Sequence, residues 1–149
     1  MFEIPQHDDC PFCRYLSGAD SCAFVTRDEN VAGFLNRAQF ERGALLLVPI
    51  AHRESILELE PQLLSSLYLE TQRIAKGMVK AFGAVGLNIF QTNGLRAGQS
   101  VSHYHIHIVP RYGTSLPWVR FQEGDFEKAS LEELEIVAQE LREALTNVA

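Results

Sequence analysis

The sequence predicts an α+β protein: an antiparallel sheet of about five strands, with one long central helix and a C-terminal helix. Three observations lead there. Five short segments of strand character lie close together, residues 60–82 switch to a helical period, and the tail carries a second helical stripe. No internal repeat, low-complexity tract or Pro/Gly/Ser linker divides the 149 residues, so a single domain over 1–149 is expected.

Each element has its own signal. Residues 7–22, HDDCPFCRYLSGADSC, read as an irregular lead-in. Residues 23–26 and 31–35 read as two strands of a hairpin around the turn Arg27-Asp28-Glu29-Asn30. The continuous apolar run 43–49 is of strand length and fits a central strand buried on both faces. From Glu60, Leu63, Leu64, Leu67, Thr71, Ile74, Ala75, Met78, Val79 and Phe82 recur at three- and four-residue steps, with Pro61 in the first turn and Gly83 at the stop. Residues 87–91 and 102–109 alternate as strands, joined by the polar, glycine-containing loop 92–101. Ser130-Leu131-Glu132-Glu133 is a capping box for a last helix, whose buried stripe is expected at Leu134, Val137, Leu141, Ala144 and Leu145.

Composition narrows the function. Thirteen basic against nineteen acidic residues leave a net charge of −6, and no basic run of five or more occurs, which argues against nucleic acid as a partner. The longest apolar stretch, residues 44–51, is far short of the ~20 residues that a membrane-spanning helix needs. With no visible secretory signal at the N-terminus, the expected location is the cytoplasm. Three cysteines cannot all pair within one chain, so their spacing needs another explanation.

His103, His105 and His107 occupy alternate positions in HYHIHIV. On a strand they share one face, about 6.6–6.8 Å apart, while Tyr104, Ile106 and Ile108 share the other. A barrel-type metal hydrolase using such a pair needs more chain, typically ~250 residues, and further ligands that no nearby motif supplies. Covalent catalysis on phosphorus fits better. Neutral imidazole, with an ordinary pKa of ~6.5, is a good nucleophile near pH 7, and a second histidine can hold the proton that a leaving group needs. The preceding loop, residues 93–100, offers glycines, amides, a hydroxyl and a guanidinium, the donors a phosphate uses.

The stretch AGQSVSHYHIHIVPR, residues 97–111, resembles the signature of the histidine triad (HIT) superfamily, in which three histidines alternate with apolar residues after a Gly-Gln-Ser/Thr-Val segment. Gly33-Phe34-Leu35-Asn36 and Leu46-Leu47-Val48-Pro49-Ile50-Ala51-His52 are similar to the family's nucleotide-binding strand and its Val-Pro-x-x-His segment. The resemblance covers about 8–112 and leaves 113–149 as a C-terminal extension. It implies a HIT-like fold and a homodimer that acts as a nucleotidyl hydrolase or transferase on a purine nucleotide or nucleotide conjugate. By it, His105 attacks the α-phosphorus and His107 contacts the phosphate and assists the leaving group. Gln99 and Ser100 would hold phosphate oxygens, Asn36 the ribose hydroxyls, and Asn93 would belong to the phosphate loop. Gly43-Ala44 departs from the pattern where many relatives carry a histidine after the glycine. That departure gives weight to the rival reading, a catalytically weak nucleotide-binding regulatory module.

Cys10-Pro11-Phe12-Cys13 taken alone is a weak signal. A redox role would want a strand before it and a helix starting at the first cysteine, which the lead-in does not show. Two thiolates with two neutral imidazoles would make an electrically neutral tetrahedral zinc site. The resemblance to zinc-containing members supplies the other two ligands, His52 and His103, and implies a structural Zn²⁺ that fixes the ring of His103. Cys22 is expected to pack and His7 to be solvated. Arg37, Arg96 and Arg111 are surface candidates for focusing anions, and residues 118–121, WVRF, are a candidate cover for the base or leaving group.

Overall fold

The computed structural model describes residues 3–6, 8–114 and 130–146. The chain divides into two units, residues 1–115 and 116–149. The first holds helix α1 (Pro11–Ser17), strands β1 (Phe24–Arg27), β2 (Val31–Leu35) and β3 (Leu45–Pro49), helix α2 (Pro61–Phe82), and strands β4 (Gly86–Phe90) and β5 (Ile106–Arg111). Single 3₁₀ turns lie at Ile56–Glu58 and Leu95–Ala97. The five strands form one antiparallel sheet in the order β1-β2-β3-β5-β4. In the second unit the described element is helix α3 (Leu131–Thr146).

The lead-in is not irregular throughout. Cys10 is the N-cap of α1, with an extended backbone and its sulfur accepting from the Cys13 N–H at 3.4 Å. Pro11 stands at the first helical position, and Gly18 at φ 80° closes the helix in the left-handed region. These are ordinary start and stop signals, hidden because the helix has only seven residues and too few turns to display a period. A helix thus does begin at the first cysteine, although no strand precedes it among the described residues.

The β1–β2 hairpin turns on Asp28, whose carboxylate accepts from the N–H groups of Asn30 and Val31 at 2.7 and 2.8 Å. Strand β3 is buried along its whole length because the sheet is covered on both faces. Leu45 and Leu47 join Val31, Leu67, Ile74, Met78, Tyr104, Ile106 and Ile108 in the core beneath α2. Leu46 and Val48 alternate to the opposite face and pack with Ala32, Phe34 and Phe12 of α1. Helix α2 is therefore a support on one face, and the candidate chemistry lies on the other.

Strand β5 starts later than the alternation of residues 102–109 predicts. The Tyr104 N–H donates to the Arg53 carbonyl, so the backbone there bonds to the loop after β3 instead of to a ladder. Residue alternation survives the change: Tyr104, Ile106 and Ile108 all enter the α2 core, which leaves the three imidazoles on the other face. In α3, Val137 is exposed, not buried as its place in the helical stripe predicts. A stripe identifies an apolar face without specifying what covers it. The side chains of Leu134, Leu141, Ala144 and Leu145, the residue His7 and the segment 118–121 lie outside the described residues.

Candidate active site

Two groups of side chains meet at the start of β5. In the first, the donor atoms of Cys10, Cys13, His52 and His103 all lie within 4.8 Å of one another. The Cys10 sulfur is 3.4 Å and the Cys13 sulfur 3.6 Å from His103 Nδ1, and Cys13 is 3.3 Å from His52 Nδ1. A tetrahedral zinc with bonds of 2.3 Å to sulfur and 2.0–2.1 Å to nitrogen places S and N about 3.5 Å apart. The three sulfur–nitrogen spacings match that geometry. The tautomer fits as well: His103 Nε2 donates to the Pro49 carbonyl at 3.0 Å, which leaves Nδ1 bare towards the thiols. Burial drives the His103 proton affinity down to a pKa of about 4, with His52 and His105 adding to the effect, so the ring is neutral as a ligand must be. Burial and the neighbouring Cys10 raise the Cys13 thiol to about 11, a cost that a bound cation would reverse.

The second group is His105 and His107, with ring centres 5.0 Å apart and planes at 60°. His105 is 4% exposed, its Nδ1 2.7 Å from the His103 carbonyl and its ring edge-on to Phe12 at 5.3 Å. A carbonyl has no proton to give, so Nδ1 carries the proton and Nε2 keeps its lone pair. Burial also pushes the His105 pKa below its ordinary value. His107 is paired across the ladder with Phe90, and the rings stack at 4.4 Å with planes 3° apart. Its Nδ1 is buried without a hydrogen-bond partner. A buried bare nitrogen costs less than a buried unpaired N–H, which favours the proton on Nε2. Burial and His105 lower the His107 pKa to about 4.

Beside these rings is a hollow of about 840 Å³. Phe12, Tyr15 and Phe34 form its aromatic wall, and Asn36, Arg37 and Gln39 are among its polar residues. It adjoins the histidines through Phe12, which touches His105, and Leu46, which is paired with His107 across β3 and β5. Asn36 is held by its backbone: its N–H donates to the Ala44 carbonyl at 2.9 Å, and Gln39 Nε2 donates to the same carbonyl at 2.8 Å. Ala44 is fully buried there, so the position that departs from the family pattern serves as a brace for the hollow's rim.

The other candidates are placed differently. Ser100 is exposed on the loop before β5, as is Arg96. The carboxamides of Asn93 and Gln99 are engaged within the protein, Asn93 Nδ2 donating to Gln91 Oε1 at 2.6 Å and the other bonds running to backbone. Asn93 Oδ1 accepts from the Ile56 N–H at 2.8 Å; Gln99 accepts from the Gly94 N–H at 2.7 Å and donates to the carbonyls of Glu54 and Val101 at 2.7 and 2.8 Å. Arg111 pairs with Glu41 at 3.4 Å. The sequence reading missed the aromatic wall and Phe90. The wall's signal was Phe12 between the two cysteines of a capped helix, and Phe90 would have followed from the register that sets it opposite His107.

The HIT domain profile matches residues 18–114. Protein hit of Bacillus subtilis is 39% identical over 106 residues, 71% of this chain and 73% of that protein. Adenylylsulfatase HINT3 of Arabidopsis thaliana is 30% identical over 111 residues, 74% of this chain and 56% of the plant protein. Adenosine 5'-monophosphoramidase hnt1 of Schizosaccharomyces pombe is 29% identical over 113 residues, 73% of this chain and 82% of that protein. Among solved structures, a HIT family protein from Bacillus anthracis superposes with a TM-score of 0.81 at 30% identity, over 93% of this chain and 99% of that one. A Zn-bound histidine triad family protein from Mycobacterium smegmatis gives 0.70 at 30% identity, over 91% and 97%. By sequence and by fold, the chain belongs to the HIT family.

Proposed function

We propose that the protein is a nucleotidyl hydrolase or transferase that cleaves a nucleoside 5′-phosphoryl bond through a nucleotidyl group carried on His105. The hydrogen bond from His105 Nδ1 to the His103 carbonyl supports this most directly, because it leaves the Nε2 lone pair available at neutral pH. In the first step Nε2 bonds to the α-phosphorus as the bond from phosphorus to the leaving group breaks and its electron pair departs with that group. His107, with its proton on Nε2, donates a hydrogen bond at the phosphate or leaving group, and the anionic phosphate itself raises that ring's proton affinity. In the second step water bonds to phosphorus, the lone pair returns to Nε2, and a nucleoside monophosphate and a proton are released.

Asn36 on the rim of the hollow is the ribose contact, the wall of Phe12, Tyr15 and Phe34 takes a purine, and Ser100 meets a phosphate oxygen. Asn93 and Gln99 serve the phosphate through the loop they hold. Cys10, Cys13, His52 and His103 would hold a structural Zn²⁺, whose chemistry is a neutral tetrahedral tie with no part in the reaction. Relatives named an adenylylsulfatase and an adenosine monophosphoramidase support adenosine nucleotides as the substrate class. A homodimer is supported by the outer edge of β4 with exposed Ile89, a cytoplasmic location by three free cysteines, and the exclusion of nucleic acid by the net charge of −6. No helix of the described residues is long and apolar enough to cross a membrane.

The test compares adenosine phosphoramidate, adenylyl sulfate and a dinucleoside polyphosphate as substrates for the wild type and His105→Gly. At least one is turned over by the wild type, and the variant loses that turnover while still binding adenosine monophosphate. Binding without turnover by the wild type on every substrate would establish the regulatory module instead.

A further inference from the structure

The loop that would cradle the phosphate and the loop that follows the metal ligand His52 are joined by side chains, and the joints lie between the two histidine ligands. Starting at His52, the carbonyl of Arg53 accepts from the Tyr104 N–H, the carbonyl of Glu54 accepts from Gln99 Nε2, and the N–H of Ile56 donates to Asn93 Oδ1. Through Arg53, Glu54 and Ile56, segment 53–56 is thus fastened to the connection 93–104, which carries the other histidine ligand, His103. Gln99 closes the loop on itself as well: it accepts from the Gly94 N–H through its side chain and donates to the Gly94 carbonyl at 3.1 Å through its backbone. All three of its carboxamide bonds are to backbone, and the residue is 2% exposed. Gly94 and Gly98 stand at φ 86° and 85°, backbone states open to glycine, and the Gln99 bonds hold the loop in this one conformation.

We infer that Gln99, with Asn93, is a positioning residue that couples the Cys₂His₂ cluster to the phosphate loop. The coupling rests on the zinc and nucleotide readings above. The path is closed: cluster, His52, segment 53–56, the two carboxamides, loop 94–99, His103 and back to the cluster. A metal at the cluster fixes one corner of this ring and the carboxamides fix the other. Losing either corner frees the same backbone, so the two losses do not add. Thermodynamic reciprocity requires that whatever metal binding gives to loop order, loop order gives to metal binding.

The experiment uses full-length, zinc-loaded protein and the variants Gln99→Met, of nearly the same shape without the polar atoms, and Asn93→Ala. Zinc affinity is measured by competition with a chromogenic chelator, and amide hydrogen exchange is followed at Gly94 and Ile56. The coupling predicts that Gln99→Met weakens zinc binding by about tenfold, within the range of about 5–150-fold common for coupled sites. It also predicts faster exchange at Gly94 in Gln99→Met, at Ile56 in Asn93→Ala, and at both amides on chelation of the wild type. In turnover, Gln99→Met should raise KM for the nucleotide with little change in affinity for the nucleoside alone. Equal zinc affinity in Gln99→Met and wild type overturns the coupling, even if turnover falls. If Gln99→Met does not fold, Asn93→Ala carries the same zinc comparison. A wild type that holds zinc and does not turn over nucleotides sinks the hydrolase reading and leaves the zinc and exchange results to decide the coupling. A wild type that holds no zinc sinks the metal reading and the coupling with it.

Discussion

His107 is half-buried against Phe90 and neutral, and its proton affinity sets a stability test. In the folded protein its pKa is lowered to about 4, against 6.5 for the ordinary ring. The unfolded chain therefore binds the extra proton first. The stability linked to this ring is fully present above about pH 6.5 and is lost as the pH falls towards 4. His107→Gln should flatten the fall in melting temperature over that interval, measured by calorimetry; an unchanged slope would assign the acid sensitivity to other groups. The identity of the histidine row was legible in the sequence because alternate spacing is a local property. The direction of the Asn93 and Gln99 carboxamides was not, since each had to choose between a ligand and backbone some forty residues away at 54–56.

At the scale of elements, the sheet and long helix were legible because they are long enough to show their periods. Helix α1 and the late start of β5 were not. The first is too short for a period, and the second is decided by the bond from Tyr104 to the Arg53 carbonyl. The turn into β3 makes a specific demand. Gly43 stands at φ 95°, and a Cβ there would lie 2.8 Å from the Phe82 ring at the end of α2. Gly43→Ala combines left-handed backbone strain of roughly 1–2 kcal/mol with that clash. Its urea midpoint should fall by the equivalent of about 2 kcal/mol or more; an unchanged midpoint would show that the turn relaxes. At the centre of β3, Leu47 is fully buried beneath α2. Leu47→Ala should cost about 2–5 kcal/mol in the same measurement, with a smaller loss indicating collapse around the site.

For the whole molecule, the cysteine–histidine cluster brings together side chains from the N-terminal helix, the loop after β3 and the entry to β5. Elemental analysis should find about one zinc per chain, and chelation or the double substitution Cys10→Ser, Cys13→Ser should lower the melting temperature and the activity together, as metal binding coupled to folding requires. Loss of activity by a chelated protein that melts as before would move the metal from scaffold to chemistry. These expectations stand around one claim, that His105 Nε2 bonds to phosphorus during turnover. The most direct measurement is rapid acid-free quenching with an α-³²P-labelled adenosine nucleotide conjugate, followed by proteolysis and mapping of the acid-labile label. Label should appear on His105, form and decay at the rate of turnover, and be absent from His105→Gly. Label on another residue, or full turnover by His105→Gly, would contradict it.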